Sequence, residues 1–256
     1  MVSDMGYVIV GAPIHRAGAY VIDKFLENQR EIQSKYPSSE LVLATIEKDF
    51  IEELKRTLKL RGIRGSVIPY ESVKPDYALS TVWNTSCGRE AIRQDAISRA
   101  EVSHLLFIDV DMICDPYVID ILNREIEGYD MVASGYMDRN HNGVIIGTGC
   151  ILFTREALKK IVFRCYEFRN HQTIDEAEVM DMDSFSKRLR YKRGYFLKID
   201  HYRKDGEFAH IEPQPVGLIR RIFKSLLIRY LLVRVSIVLK CNISNSLYIR
   251  LHKSFS

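Results

Sequence analysis

A chain of 256 residues, 46% hydrophobic and 27% charged, is long enough for one large core and too mixed in composition for a fibrous or disordered protein. Its formal charge of +4 is unevenly spread: beyond Glu212 there are eight basic residues and no acid, which leaves residues 1–212 at −4. A mildly acidic body excludes the distributed basic face of a nucleic-acid-binding domain, so no nucleic-acid partner is expected; the basic end reads as a separate element that meets anionic surfaces.

The N-terminal stretch carries Asp4 where a secretory signal needs positive charge, and its apolar run stops at Pro13, so it reads as a first buried strand over Tyr7–Gly11. Ala19–Tyr36 follows with helical spacing of Val21, Phe25, Leu26 and Ile32. Leu41–Ile46 reads as a strand, Phe50–Leu60 as an amphipathic helix and Gly65–Pro69 as a third strand. Arg89–Arg99 is expected to be helical, Leu105–Ile108 a strand and Pro116–Ile126 a helix, with further strands at Met131–Ser134 and Cys150–Phe153. Apolar strands alternating with helices imply an α/β fold with a mainly parallel sheet covered on both faces, whose ligands sit at the carboxyl ends of the strands.

That rule directs attention to strand ends. The first strand is followed by Ala12-Pro13-Ile14-His15-Arg16, which is neither a P-loop nor a dinucleotide-binding glycine turn, and no GxSxG elbow occurs. The five cysteines, Cys87, Cys114, Cys150, Cys165 and Cys241, are scattered and contain no CxxC pair, which favours a reducing, cytoplasmic setting over a zinc site or disulfide framework. The sharpest feature is Leu105-Leu106-Phe107-Ile108-Asp109-Val110-Asp111, an apolar strand ending in two carboxylates at i and i+2. Charge at the tip of a buried strand is costly without a counter-ion, and hard cations such as Mg²⁺ or Mn²⁺ take carboxylate oxygen, water and phosphate. The same acids could instead start a turn and cap the helix after Asp115-Pro116.

Arg93-Gln94-Asp95-Ala96-Ile97-Ser98-Arg99-Ala100 followed by His104–Asp111 resembles GT-A-fold glycosyltransferases, especially family 2, in which an Arg-containing helix precedes an apolar strand and a DxD. Gly147–Leu158 is similar to that family's acceptor-side strand and helix. Asp181-Met182-Asp183-Ser184-Phe185, continuing to Gly194-Tyr195, is similar to its Glu-Asp motif, which opens a helix, although Met180 and Met182 flank Asp181 and shift the register. The matches span about residues 7–212. The resemblance implies a GT-A fold, a nucleoside diphosphate sugar donor and a divalent metal. It gives Asp111 and Asp109 as metal ligands, with Asp109 also near the ribose, and His210 as a third ligand. It makes Asp183, then Asp181, the base that takes the acceptor proton in an inverting reaction. Glu47, after the second strand, would meet the nucleotide base, and Pro13, Arg16 and Arg93 are candidates for donor contacts.

The tail, residues 213–256, is basic and apolar. Within residues 217–240 the Arg-free apolar runs are too short to span a bilayer. A helix here would lie on an anionic membrane surface, or pack on the domain or on a second subunit of a homodimer. The first reading would suit a lipid-linked acceptor and a peripheral place on the cytoplasmic membrane face, but the sequence leaves carbohydrate, lipid-linked and protein acceptors open. Two other functions also stay open: a non-catalytic carbohydrate- or membrane-binding protein on the same fold, and a sugar-phosphate nucleotidyltransferase. The second lacks the Gly-rich basic loop it needs at Ala12–Gly18.

Overall fold

Aliphatic runs without polar alternation form strands buried on both faces, and seven strands build the central sheet of the computed structural model, which describes residues 6–72, 80–138, 143–167, 173–174 and 176–211. In chain order the elements are β1 (Tyr7–Pro13), a 3₁₀ turn (Arg16–Val21), α1 (Ile22–Lys35), β2 (Ser39–Thr45), α2 (Lys48–Leu60), β3 (Gly65–Pro69), α3 (Ser80–Ser98) and β4 (Val102–Ile108). Then come β5 (Met112–Cys114), α4 (Val118–Ile126), β6 (Met131–Ser134), β7 (Tyr136–Met137), β8 (Val144–Ile145), β9 (Cys150–Thr154) and α5 (Arg155–Leu158). The remainder is β10 (Tyr166–Glu167), β11 (Thr173–Ile174), α6 (Glu176–Ser186), β12 (Tyr191–Gly194), β13 (Ile199–Tyr202) and β14 (Phe208–Ile211). All described residues belong to one compact unit, Met1–Pro213. The tail segment 217–240 lies outside the described residues, and none of the described helices is long and apolar enough to cross a membrane.

The sheet order is β12-β6-β9-β4-β1-β2-β3. β1 pairs in parallel with β2 and β4, β2 with β3, and β12 with β6; β9 alone in this sheet runs against its neighbours β4 and β6. Side-chain alternation sends Val8, Val10, Leu106, Ile108 and Leu152 to one face, against α1, α2 and α4. Ile9, Leu105, Phe107, Ile151 and Phe153 go to the other, beside Ile92 and Ala96 of α3 and Ala157 and Leu158 of α5. The chain is therefore a mixed α/β protein with a central, mostly parallel sheet flanked by helices.

Two polar side chains fix the middle of the fold. Arg155 directs its guanidinium at the carbonyls of Ala96, Ile97, Arg99 and Val102, satisfying the open end of α3 and setting the start of β4. Asn28 of α1 bonds both backbone groups of Cys114, donating to its carbonyl at 2.8 Å and accepting its N–H at 3.0 Å. β5, which pairs with β13 of a three-stranded sheet, thereby has its second edge closed. The four described cysteines are free thiols.

Candidate active site at the carboxyl edge of the sheet

The parallel register brings the ends of β1, β2 and β4 to one edge, and the two acids of the DxD emerge there. Asp109 prolongs β4, its N–H donating to the Gly149 carbonyl at 3.0 Å, and the chain then turns as the Met112 N–H bonds the Asp109 carbonyl at 2.9 Å. Space at this turn is tight. A Cβ on Gly149 would lie 2.6 Å from the Met112 methyl and 2.7 Å from the Tyr136 hydroxyl, so a larger residue would have to displace both side chains. The turn before α4 is held by Asp115, whose carboxylate accepts the Tyr117 N–H at 2.8 Å.

Asp111 faces the three-stranded sheet. Its carbonyl accepts the Tyr202 N–H at 2.8 Å, and its carboxylate lies 3.5 Å from Nε2 of His201 and 3.4 Å from the Tyr20 hydroxyl. His201 is buried, and its Nδ1 sits 2.9 Å from the Met137 carbonyl, so Nδ1 carries the proton and Nε2 turns toward Asp111. His210, expected to join the metal site, is placed apart from these groups. On the β13–β14 hairpin His201 pairs with Ala209, and both are buried, whereas His210 is the next residue along and exposed, on the opposite face.

Asp109 faces α3. Its carboxylate is bonded by Arg89, which also pairs with Glu176 at the first position of α6, and Glu176 accepts the Thr148 hydroxyl at 2.9 Å. Arg89 and Glu176 are both more than nine-tenths buried. Glu176 Oε2 and Arg89 Nε have no hydrogen-bond partner among the described residues. The helix N-terminus favours the ionised form of Glu176. An acid–base–acid relay thus joins the DxD to α6.

The acids expected to serve as base are placed differently. α6 begins at Glu176, so Asp181 and Asp183 lie in its second half instead of opening it. Asp183 is held by both guanidinium nitrogens of Arg164, at 3.0 and 3.1 Å, with Lys187 at 3.5 Å. Asp181 is bonded by Arg193 of β12. Arg93 is also committed elsewhere: it is buried, paired with Glu90, and donates to the Leu158 carbonyl at 2.6 Å, stapling α3 to α5. Arg16 points to α2, bonding Asp49 and Glu53 and lying 4.5 Å over the Phe50 ring.

Pro13 ends β1 and Glu47 follows β2, at the same edge of the sheet. The Glu47 carboxylate accepts the Arg16 N–H at 2.7 Å, which ties the loop after β1 to the end of β2. Pro13 sits so close to α3 that a Cβ on Gly88 would fall 2.9 Å from it. Beside them His15 approaches the Tyr70 hydroxyl at 3.2 Å, and burial pushes its pKa down against the opposing charge of Glu47.

The order of strands is that of a mixed α/β fold with a mostly parallel sheet, and the two acids stand at its carboxyl edge. Among solved structures, the chain is similar to the mannosyltransferase PcManGT from Pyrobaculum calidifontis, in complex with GDP-Man and Mn²⁺, with a TM-score of 0.52 and 11% identity over 75% of this chain and 55% of that one. It also matches S. aureus TarS 1–349 in complex with UDP-GlcNAc, at a TM-score of 0.48 and 13% identity over 82% of this chain and 59% of that one. A third match is A197 from STIV, at 0.45 and 14% identity over 82% and 95%. The chain spans little more than half the length of the mannosyltransferase. No family model and no curated protein matches it.

Proposed function

We propose that the chain is a metal-dependent glycosyltransferase that moves a sugar from a nucleoside diphosphate donor to an acceptor hydroxyl with inversion. The observation that carries this is that β4 ends in two acids with separate partners, Asp111 beside His201 and Asp109 beside the Arg89–Glu176 pair. The shared fold of a mannosyltransferase that binds GDP-Man and Mn²⁺ supports it.

Among the described residues no group of three or more His, Cys, Asp or Glu converges on one point. A cation held with substrate does not require one, since Mg²⁺ and Mn²⁺ fill their shells with water and phosphate around one or two protein ligands. The Asp111 carboxylate and the oriented Nε2 of His201 fit that role, His201 having the backbone-anchored Nδ1 usual for a ligating histidine. A divalent cation there would stabilise the charge that develops on the departing diphosphate. Glu176 replaces Asp183 and Asp181 as the proposed base. As the acceptor oxygen bonds the anomeric carbon and the bond to the diphosphate breaks, the acceptor proton passes to the Oε2 of Glu176. Asp109, oriented by Arg89, contacts the donor, and Glu47 and Pro13 border the place of its base.

Residues 217–240 are assigned to an anionic membrane surface, on the cytoplasmic side, from their charge and aliphatic content. The acceptor class proposed is a hydroxyl of a carbohydrate, a lipid-linked sugar or a protein. A panel of nucleoside diphosphate sugars, assayed for donor hydrolysis with and without Mn²⁺, tests the enzymatic reading. Metal-dependent turnover of at least one donor, lost in Glu176→Gln, is the expected result; no turnover and no binding of any donor would remove it.

A further inference from the structure

The second half of α6 and the segment after α5 form a surface that the proposed reaction leaves unused. Phe185 is 87% exposed, and Met182, three residues before it on the same helical face, is also exposed. Residues 161–166 alternate as a strand would: Ile161, Phe163 and Cys165 are buried, while Val162 and Tyr166 point outward on either side of Arg164. Arg164 holds Asp183 with both guanidinium nitrogens and Lys187 donates to the Lys160 carbonyl, so the two segments make one face. Arg188, in the left-handed conformation at φ 55°, ends the helix beside Phe185.

The charge around this apolar face is reversed relative to the body. Residues 156–166 and 182–190 contain six basic side chains, Lys159, Lys160, Arg164, Lys187, Arg188 and Arg190, against the two acids Glu156 and Asp183. The balance is therefore +4, in a stretch 1–212 that totals −4. Asp183 is neutralised by Arg164, and Lys187 keeps much of its side chain in solvent. Arg190 is paired with Asp130 and Lys159 with Glu156, so Lys160, Lys187 and Arg188 carry the charge on the side of the protruding phenyl and thioether. That is the pattern of a surface that enters a headgroup layer. A cationic rim alone would attract any polyanion. The aromatic at the tip selects an occupant with an apolar interior.

We infer that this face docks on an anionic lipid bilayer, with Phe185 and Met182 reaching the acyl boundary and Lys160, Lys187 and Arg188 meeting the headgroups. The inference is independent of the glycosyltransferase reading, because it rests on binding alone.

The test uses the full chain and vesicles of phosphatidylcholine with or without phosphatidylglycerol, read by co-sedimentation. Every variant retains residues 217–240, so differences belong to this face. Phe185→Ser and the pair Lys160→Glu with Arg188→Glu should each lower the bound fraction on anionic vesicles by about tenfold at unchanged Tm. Phe185→Trp should bind as the wild type does and shift its emission to the blue when vesicles are added. Wild-type binding by these variants, or no blue shift for Phe185→Trp, would overturn the inference. So would loss of a solution dimer in Phe185→Ser without change in vesicle binding, which would assign the face to a second copy of the chain.

Discussion

Asp111 and Asp183 carry the same carboxylate, and their surroundings give them opposite work. Asp111 stands beside a histidine whose other nitrogen is fixed by a backbone carbonyl, an arrangement open to a cation. Asp183 is closed off by Arg164 and Lys187. Asp111→Asn should therefore abolish metal-dependent nucleotide binding in a folded protein, measured by calorimetric titration, and unchanged affinity would remove its metal role. His201→Asn should raise the Mn²⁺ needed for half-maximal binding by about 10–100-fold, whereas His210→Asn should leave it unchanged. Glu176→Gln should lower kcat by about 10²–10⁴-fold with little effect on donor affinity. Asp183→Asn should instead cost about 1 kcal/mol of stability, a modest amount because Arg164 is partly in solvent. Steady-state kinetics beside urea melts separates the two, and a dead Asp183→Asn with an active Glu176→Gln would restore the earlier assignment. The DxD was legible because strand and acids are contiguous. His201, Arg89 and Glu176 were not, since their partners are remote in sequence and only the sheet brings them together.

At the scale of elements, strands buried on both faces announce themselves by composition. The expected Leu105–Ile108, Met131–Ser134 and Gly65–Pro69 differ little from the observed β4, β6 and β3. Short or polar elements do not. α3 begins at Ser80 rather than Arg89 because its first turns, Ser-Thr-Val-Trp-Asn-Thr-Ser-Cys-Gly, lack an apolar stripe. β5 has three residues and takes its stability from Asn28 and β13, neither of which is near it in sequence. The start of α6 is hidden for a related reason: Asp181 and Asp183 resemble acids that open a helix, but Glu176 already occupies its first turn. Asn28→Leu, similar in shape, should leave the N–H and carbonyl of buried Cys114 unpaired and cost about 2–4 kcal/mol, seen as a lower urea midpoint. Amide exchange should speed first at Met112–Cys114, and because β5 follows Asp111 directly, nucleotide affinity should fall with it. A variant with wild-type exchange at β5 would show that β13 alone holds the strand.

For the whole molecule, the site is assembled from pieces that a ligand would bind together: the edge of the parallel sheet supplies Pro13, Glu47 and Asp109, the three-stranded sheet supplies His201, and α6 supplies Glu176. A ligand that binds only the folded state stabilises it by RT ln(1 + [L]/Kd), about 2.7 kcal/mol at a hundred times Kd. For a unit of this size each kcal/mol moves Tm by about 2–4 °C, so a saturating nucleoside diphosphate with Mn²⁺ should raise Tm by about 5–10 °C. Nucleotide or Mn²⁺ alone should give a much smaller shift, because each lacks the partner through which Asp111 and the diphosphate interact. Asp111→Asn should lose the joint shift, and Glu176→Gln should keep it, since its carboxylate serves the acceptor proton and not the donor. Scanning calorimetry of the three proteins with and without each ligand distinguishes these cases. A full shift from nucleotide without metal, or an undiminished one in Asp111→Asn, would mean that the donor is held without a cation at the DxD.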